Sequence, residues 1–367
     1  MSAAELLAEI EHETLQSFLN AVRCSGADTE TNEEQGSEFI RLLRWNNLVE
    51  IQGPPASGKT HIIYLSIMTC VLPPQYNGVQ LNGWGRAAIV LDTDVAFDIR
   101  RLQGLLEAYV GRTLQLADYA SPTRTTRNIV DQALSRLHIF QPNSSTQLAA
   151  TILRLSRFHA ETASLADYEL GLLVVDSLSA FYWEDRFTTE QLRGGQSHEA
   201  RTPFRHVLSA IDTFRTQYSC PVLVTNWGLN PNPSTTSSPF FKQHLYPFHP
   251  DFVTPSTGGP IADELPPSAI PSTAVAPPEP TFSATHTSYT LSLTHHITLL
   301  PIHLLPFPNG VSLEDAARDD EQHRYATVQR GEIHGLVRVP GNREVGKFSC
   351  VISADSVSVE PEKTFVQ

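Results

Sequence analysis

Apolar and polar positions alternate along this chain in two rhythms. Residues 2–22 carry Leu7, Ile10, Phe18, Leu19 and Val22 near one helical face, with Ser2 and Glu5 spaced as a capping box. An amphipathic helix is expected there, followed by a polar, acidic linker over Gly26–Glu38. From Asn47 short apolar runs take over, separated by longer segments of helical period. Strands are expected at Leu48–Ile51, Ala87–Leu91, Leu137–Phe140, Leu170–Val175 and Pro221–Thr225. Helices are expected from the turn after Ile51 to about Leu72, then over Asp98–Val110, Ser145–Thr162 and Pro203–Gln217. That alternation predicts an α/β fold with a mostly parallel sheet.

The rhythm stops at Gly228. Residues 228–288 hold 13 prolines and five charged residues, of which Lys242 alone is basic. A long disordered insertion is expected. Strand-like runs resume at Ile297–Leu305, Gly331–Val339 and Phe348–Val359, and are expected to add antiparallel strands to one sheet edge. The predicted division is therefore an N-terminal helix and linker (1–38), a core (39–227), the insertion (228–288), and strands completing the core (289–367).

Composition narrows the function. A net charge of −13 over 367 residues excludes a global cationic coat for nucleic acid. Four dispersed cysteines (Cys24, Cys70, Cys220, Cys350) suggest neither zinc nor a disulfide framework, and point to buried thiols in a reducing compartment. The acidic N-terminus is not a secretory signal, and the longest apolar run, near His61–Leu72, is too short to span a bilayer. A soluble intracellular protein is expected.

The strongest chemical signal is Gly53-Pro54-Pro55-Ala56-Ser57-Gly58-Lys59-Thr60, a complete GxxxxGK[ST] between a strand and an apolar helix. Glycines there let backbone N–H groups face phosphates at a helix N-terminus. Lys59 would reach the β- and γ-phosphates of ATP, and Thr60 would ligate Mg²⁺. The competing reading is a plain Gly-rich turn. Leu172-Leu-Val-Val-Asp176 supplies a strand-end carboxylate for the metal's water shell.

Val175-Asp-Ser-Leu-Ser-Ala-Phe-Tyr-Trp183, with Glu184-Asp-Arg186, resembles the second nucleotide motif of the eukaryotic RecA-type recombinase paralogues. Asp92-Thr-Asp94 with Phe97–Leu102, and Glu5–Ala8, fit the same family. The resemblance covers roughly residues 1–227. It implies a RecA-like P-loop ATPase core in a hetero-oligomer with other recombinase paralogues. The implied work is homologous recombination, double-strand break repair and replication-fork protection in the nucleus. Single-stranded or branched DNA would be bound jointly with partners.

Two departures from active recombinases stand out. Asp94 occupies the place of their water-orienting glutamate, and is read either as a candidate water activator or as a strand-end turn residue. Thr225-Asn-Trp227 puts an indole where they carry a glutamine that links nucleotide to DNA. A subunit with weak or no ATP turnover is expected. The alternatives are a competent DNA-stimulated ATPase and a P-loop small-molecule kinase.

The remaining features are minor. Glu184–Ala200 reads as a nearly charge-balanced solvated loop, and Tyr246, Phe248 and Phe252 as parts of a flexible linker. Phe18-Leu-Asn-Ala21 matches a protomer-docking pattern but also fits the helix face. His295-His296 reads as strand-edge histidines rather than a metal site.

Overall fold

The computed structural model describes residues 43, 46–119, 122–193, 203–229, 240–241, 243–246, 252, 291–300, 310–319, 324–342 and 344–361. The expected helix over 2–22, its linker and the Phe18–Ala21 pattern lie outside them, as does most of 228–288.

Strand β1 (Leu48–Gly53) leads through a tight loop into helix α1 (Lys59–Val71), which stops before Pro73-Pro74. A two-stranded ribbon follows, β2 (Gln75–Tyr76) and β3 (Val79–Gln80), then β4 (Ala87–Asp92). Helix α2 (Ile99–Leu116) starts at Asp98, whose carboxylate accepts the N–H groups of Arg100 and Arg101. It runs past the expected end at Val110, because Leu114 continues the stripe of Leu102, Leu105, Leu106 and Val110. Gly111 weakens the helical signal there without ending the helix.

Next come α3 (Pro122–Leu134), β5 (Leu137–Phe140), α4 (Ser145–Glu161) and β6 (Leu170–Asp176). Helix α3 is polar apart from Pro122 and the short run of Ile129, Val130, Ala133 and Leu134 at its end, which explains why apolar periodicity misses it. Residues 184–193, within the expected loop Glu184–Ala200, lie in helix α5 (Tyr182–Arg193), with Glu184 and Asp185 in the first turn where a helix favours negative charge. Helix α6 (Pro203–Tyr218), β7 (Val222–Trp227), β8 (His295–Leu300), β9 (Glu332–Arg338), β10 (Gly346–Ile352) and β11 (Val357–Pro361) complete the sheet.

The nine-stranded sheet runs β11-β10-β9-β8-β1-β7-β6-β4-β5. Neighbours from β8 to β5 are parallel, and β8-β9, β9-β10 and β10-β11 are antiparallel. The mostly parallel α/β sheet therefore holds. Two details are corrected. Strand β8, expected antiparallel, lies parallel to β1, and the last apolar run is a hairpin turning at residues 353–356 rather than one strand. One sheet face packs on α1, α2 and α3, the other on α4 and α6. Cys70, Cys220 and Cys350 are buried free thiols, each with its pKa pushed up by that burial.

On β1 and β7 the second face is apolar only toward the strand N-termini, at Leu48, Val222 and Val224. Further along, Glu50, Gln52, Asn226, His296, Thr298 and Arg338 form a buried polar layer. Glu50 accepts from Asn226 Nδ2 at 2.6 Å, from Gln243 Nε2 at 2.8 Å, and from the Tyr246 hydroxyl. Arg338 lies 3.8 Å from the Phe240 ring centroid and donates to His296 Nδ1 at 3.0 Å. An arginine only donates, so Nδ1 accepts, and His296 Nε2–H is left to donate to Gln52 Oε1 at 3.2 Å. His296 is thus an interior residue, not the strand-edge residue expected, and burial with Arg338 beside it holds its pKa well below the ordinary value. The linker reading of Tyr246 and Phe252 is also corrected. Phe240, Tyr246 and Phe252 are buried against this face, so part of 228–288 belongs to the core.

Tyr246→Phe should remove a donor to a buried carboxylate and lower unfolding free energy by about 1–3 kcal/mol in urea titrations. Burial raises the pKa of Glu50 above its ordinary 4.5, so above that pH the folded chain holds its proton more tightly than the unfolded chain does. The Glu50 contribution is complete below pH 4.5 and declines as pH rises through the window up to the raised value. Glu50→Gln should remove this share of the pH slope, with the Tyr246 hydroxyl turning to accept.

Candidate functional site

The parallel strands β1, β7, β6 and β4 end on one side of the sheet, and their C-terminal residues surround the loop of residues 53–60. Both motif glycines stand in close quarters, and Gly58 also has a left-handed backbone that other residues rarely adopt. A Cβ on Gly53 would lie 2.4 Å from Ser57 Oγ. Gly58 has φ +86°, and a Cβ there would meet Ile333 Cδ1 at 2.5 Å. The C-terminal strands thus roof the loop that opens α1.

Lys59 Nζ donates to the carbonyls of Gly53 at 2.9 Å and Pro54 at 2.8 Å. Burial pulls its pKa down, while Asp176 and Asp94 attract the charge. Thr60 Oγ1 donates to Asp176 Oδ2 at 3.1 Å, and Thr225 Oγ1 donates to Asp176 Oδ1 at 2.6 Å. Asp176 is 5% exposed. Burial raises its pKa, the two hydroxyls oppose that rise, and Asp94 and Asp92 add to it. A hydroxyl and a carboxylate in contact behind a phosphate-type loop are the donor set a hydrated divalent cation takes. Ser57 Oγ is buried in the loop without a partner, which also suits a ligand rich in acceptors.

Asp92 and Asp94 have separate surroundings. Asp92 is buried, accepting from Ala96 N at 3.1 Å and Gln141 Nε2 at 3.2 Å, and so fastens the turn after β4. Asp94 is exposed, and its Oδ2 accepts from Ser177 Oγ at 2.9 Å and Trp227 Nε1 at 3.4 Å. The Asp176–Ser177 peptide is cis, and Thr93 bonds both the N–H and the carbonyl of Ser177.

The structure therefore brings together Gly53, Ser57, Gly58, Lys59, Thr60 and Asp176, with Asp94 at the rim. Pro54, Pro55 and Ala56 form the loop's outer turn, where Ala56 has φ +59°. Sequence reasoning missed Thr225, Ser177 and Ser179 as supports. A hydroxyl at or just past the end of each neighbouring strand was the available signal. Ser179 Oγ donates to Asn226 Oδ1 at 3.1 Å and accepts from Trp227 N at 2.8 Å, and Asn226 continues to Glu50. The site is thereby joined by hydrogen bonds to the buried polar layer. Among the described residues, no group of His, Cys, Asp and Glu could hold a metal by itself.

No protein-family model matches the chain. It is similar to the mouse DNA repair protein XRCC2, 32% identical over 151 residues, which is 41% of this chain and 45% of that protein. It is also similar to the XRCC2 homolog of Arabidopsis thaliana, 27% identical over 165 residues, 40% of this chain and 44% of that protein. The chain thus spans less than half the length of the curated relatives it matches. Over the matched span the chain is thus similar in sequence to XRCC2 proteins of an animal and a plant, both DNA repair proteins.

Proposed function

We propose that this chain is an ATP-binding subunit of a recombinase-paralogue assembly that serves homologous recombination, double-strand break repair and replication-fork protection. The observation that carries the reading is the Lys59–Thr60–Asp176 constellation at the sheet's C-terminal edge, in a chain similar to two DNA repair proteins. Loop N–H groups and Lys59 would hold the phosphates, and Thr60 and Asp176 would hold the hydrated Mg²⁺, which supplies charge neutralisation when bound. Asp94 is the candidate for orienting water, and its shorter side chain supports weak turnover.

Nuclear action follows from the DNA repair reading. Among the described residues no helix is long and apolar enough to cross a membrane. DNA contact would be shared with partner subunits, because the acidic chain offers few cations for counterion release. Helix α5 supports a modest share, since Trp183 and Phe187 are 57% and 61% exposed and the Arg186 guanidinium lies 5.7 Å from the Trp183 ring centroid.

Affinity purification of the chain from its native cell should recover recombinase paralogues, identified by mass spectrometry. The purified protein should hydrolyse ATP far below the ~1–100 s⁻¹ of vigorous phosphoryl-transfer enzymes. Turnover in that range, abolished by Lys59→Ala, would favour the competent DNA-stimulated ATPase. Recovery of no recombination factor would defeat the assembly reading.

A further inference from the structure

We propose that Trp227 is a positioning residue: its indole N–H, together with the Ser177 hydroxyl, locks the Asp94 carboxylate onto the protein and so restrains hydrolysis in a site otherwise equipped to bind nucleotide. The proposal deepens the nucleotide-binding reading and rests on it.

The geometry is specific. Asp94 follows β4, Ser177 follows β6, and Trp227 ends β7, so the three residues stand side by side at the ends of consecutive strands. Both donors converge on one oxygen, Asp94 Oδ2, at 2.9 Å from Ser177 Oγ and 3.4 Å from Trp227 Nε1. An indole N–H donates and cannot accept, so it can engage a carboxylate but cannot relay a bond onward as an amide can.

Trp227 is itself held firmly. Its N–H donates to Ser179 Oγ at 2.8 Å, it pairs with Gly53 across β1 and β7, and the following N–H, that of Gly228, donates to Gly53 O at 2.9 Å. The Phe241 ring covers Gly228, within 2.7 Å of where a Cβ would stand. The anchor of the indole is thus the strand that carries the phosphate loop.

In hydrolysis a water oxygen bonds to the γ-phosphorus while the bond from that phosphorus to the β,γ-bridging oxygen breaks. The bond's electron pair leaves with ADP, and the water proton passes to its carboxylate acceptor and then to the released phosphate. The two donors occupy Oδ2 and leave Oδ1 open, so what they restrain is the orientation of the carboxylate, and moving it toward the attacking water costs both contacts.

Two measurements on the full chain test the restraint. The first needs no nucleotide. With ¹⁵N-labelled tryptophan, the indole resonance missing from Trp227→Phe is that of Trp227. Asp94→Asn should displace it and leave the other three tryptophan signals in place. An unmoved Trp227 signal would overturn the proposal.

The second is single-turnover hydrolysis of Mg-ATP. Trp227→Phe, which keeps an aromatic ring and loses the donor, should raise the rate about tenfold, equivalent to ~1.4 kcal/mol, at unchanged ATP affinity. Asp94→Asn in the same background should return the rate to the wild-type level. Ser177→Ala should give a smaller rise, and serves as the test should Trp227→Phe fold poorly. Unchanged turnover in variants that still bind Mg-ATP would overturn the proposal. No Mg-ATP binding by the wild-type chain, with the indole response intact, would overturn the nucleotide reading and the kinetic consequence while the contact stands.

Discussion

The site depends on the Asp176 carboxylate, buried and shared between two hydroxyls. Thr225 at 2.6 Å ties it to β7, and Thr60 at 3.1 Å ties it to the first turn of α1. A carboxylate this buried is costly unless its lone pairs are occupied, so the bonds fix three elements at once. The arrangement needs β6 beside β7, β7 beside β1, and all three pointing the same way. Parallel strands covered on both faces by helices provide that, and the apolar runs of Leu172–Val175 and Val222–Val224 make them pack. The fold's largest demand and the site's chemistry therefore meet at one residue.

A second buried acid organises what lies beneath. Glu50, in the middle of β1, satisfies Asn226 from the neighbouring strand and Gln243 and Tyr246 from beyond β7. Arg338 two strands away contributes the opposing charge, and its own pKa is brought down to about 10, chiefly by burial. Such a layer is stable only when complete, because a buried polar group left alone loses more than a pair gains. It makes the post-β7 segment part of the sheet's packing. Through Asn226 and Ser179 it also reaches Trp227 at the rim of the candidate site.

The loop of residues 53–60, its flanking strand and helix, and the strand ending in Asp176 were legible in the sequence because their signals are local. Each is a fixed spacing or a continuous apolar run. The polar layer was not legible. Glu50 and His296 sit at alternate positions within apolar strands, where alternation ordinarily means a solvent-facing side chain. Only the pairing of Glu50 with His296, between strands 246 residues apart at Glu50 and His296, reveals that both point inward. Tyr246 and Phe252 were hidden by surrounding prolines, since composition reports average order and not the few side chains that find a pocket. Helix α3 was missed because its stripe is short and its exposed face polar, and helix α5 because its interleaved acids and arginines read as a solvated loop. The contact between Asp94 and Trp227 joins residues 133 positions apart, and neither looked unusual except against the family pattern.

The most direct measurement is a calorimetric titration of the full chain with ATP in Mg²⁺. One equivalent should bind, with affinity reduced at least tenfold by Thr60→Ala, by Asp176→Asn, or by chelating the metal, since a tenfold change is only ~1.4 kcal/mol and each loss removes a charge-assisted contact. Absence of binding by the folded wild-type protein, or binding indifferent to all three changes, would contradict a nucleotide site built on Asp176.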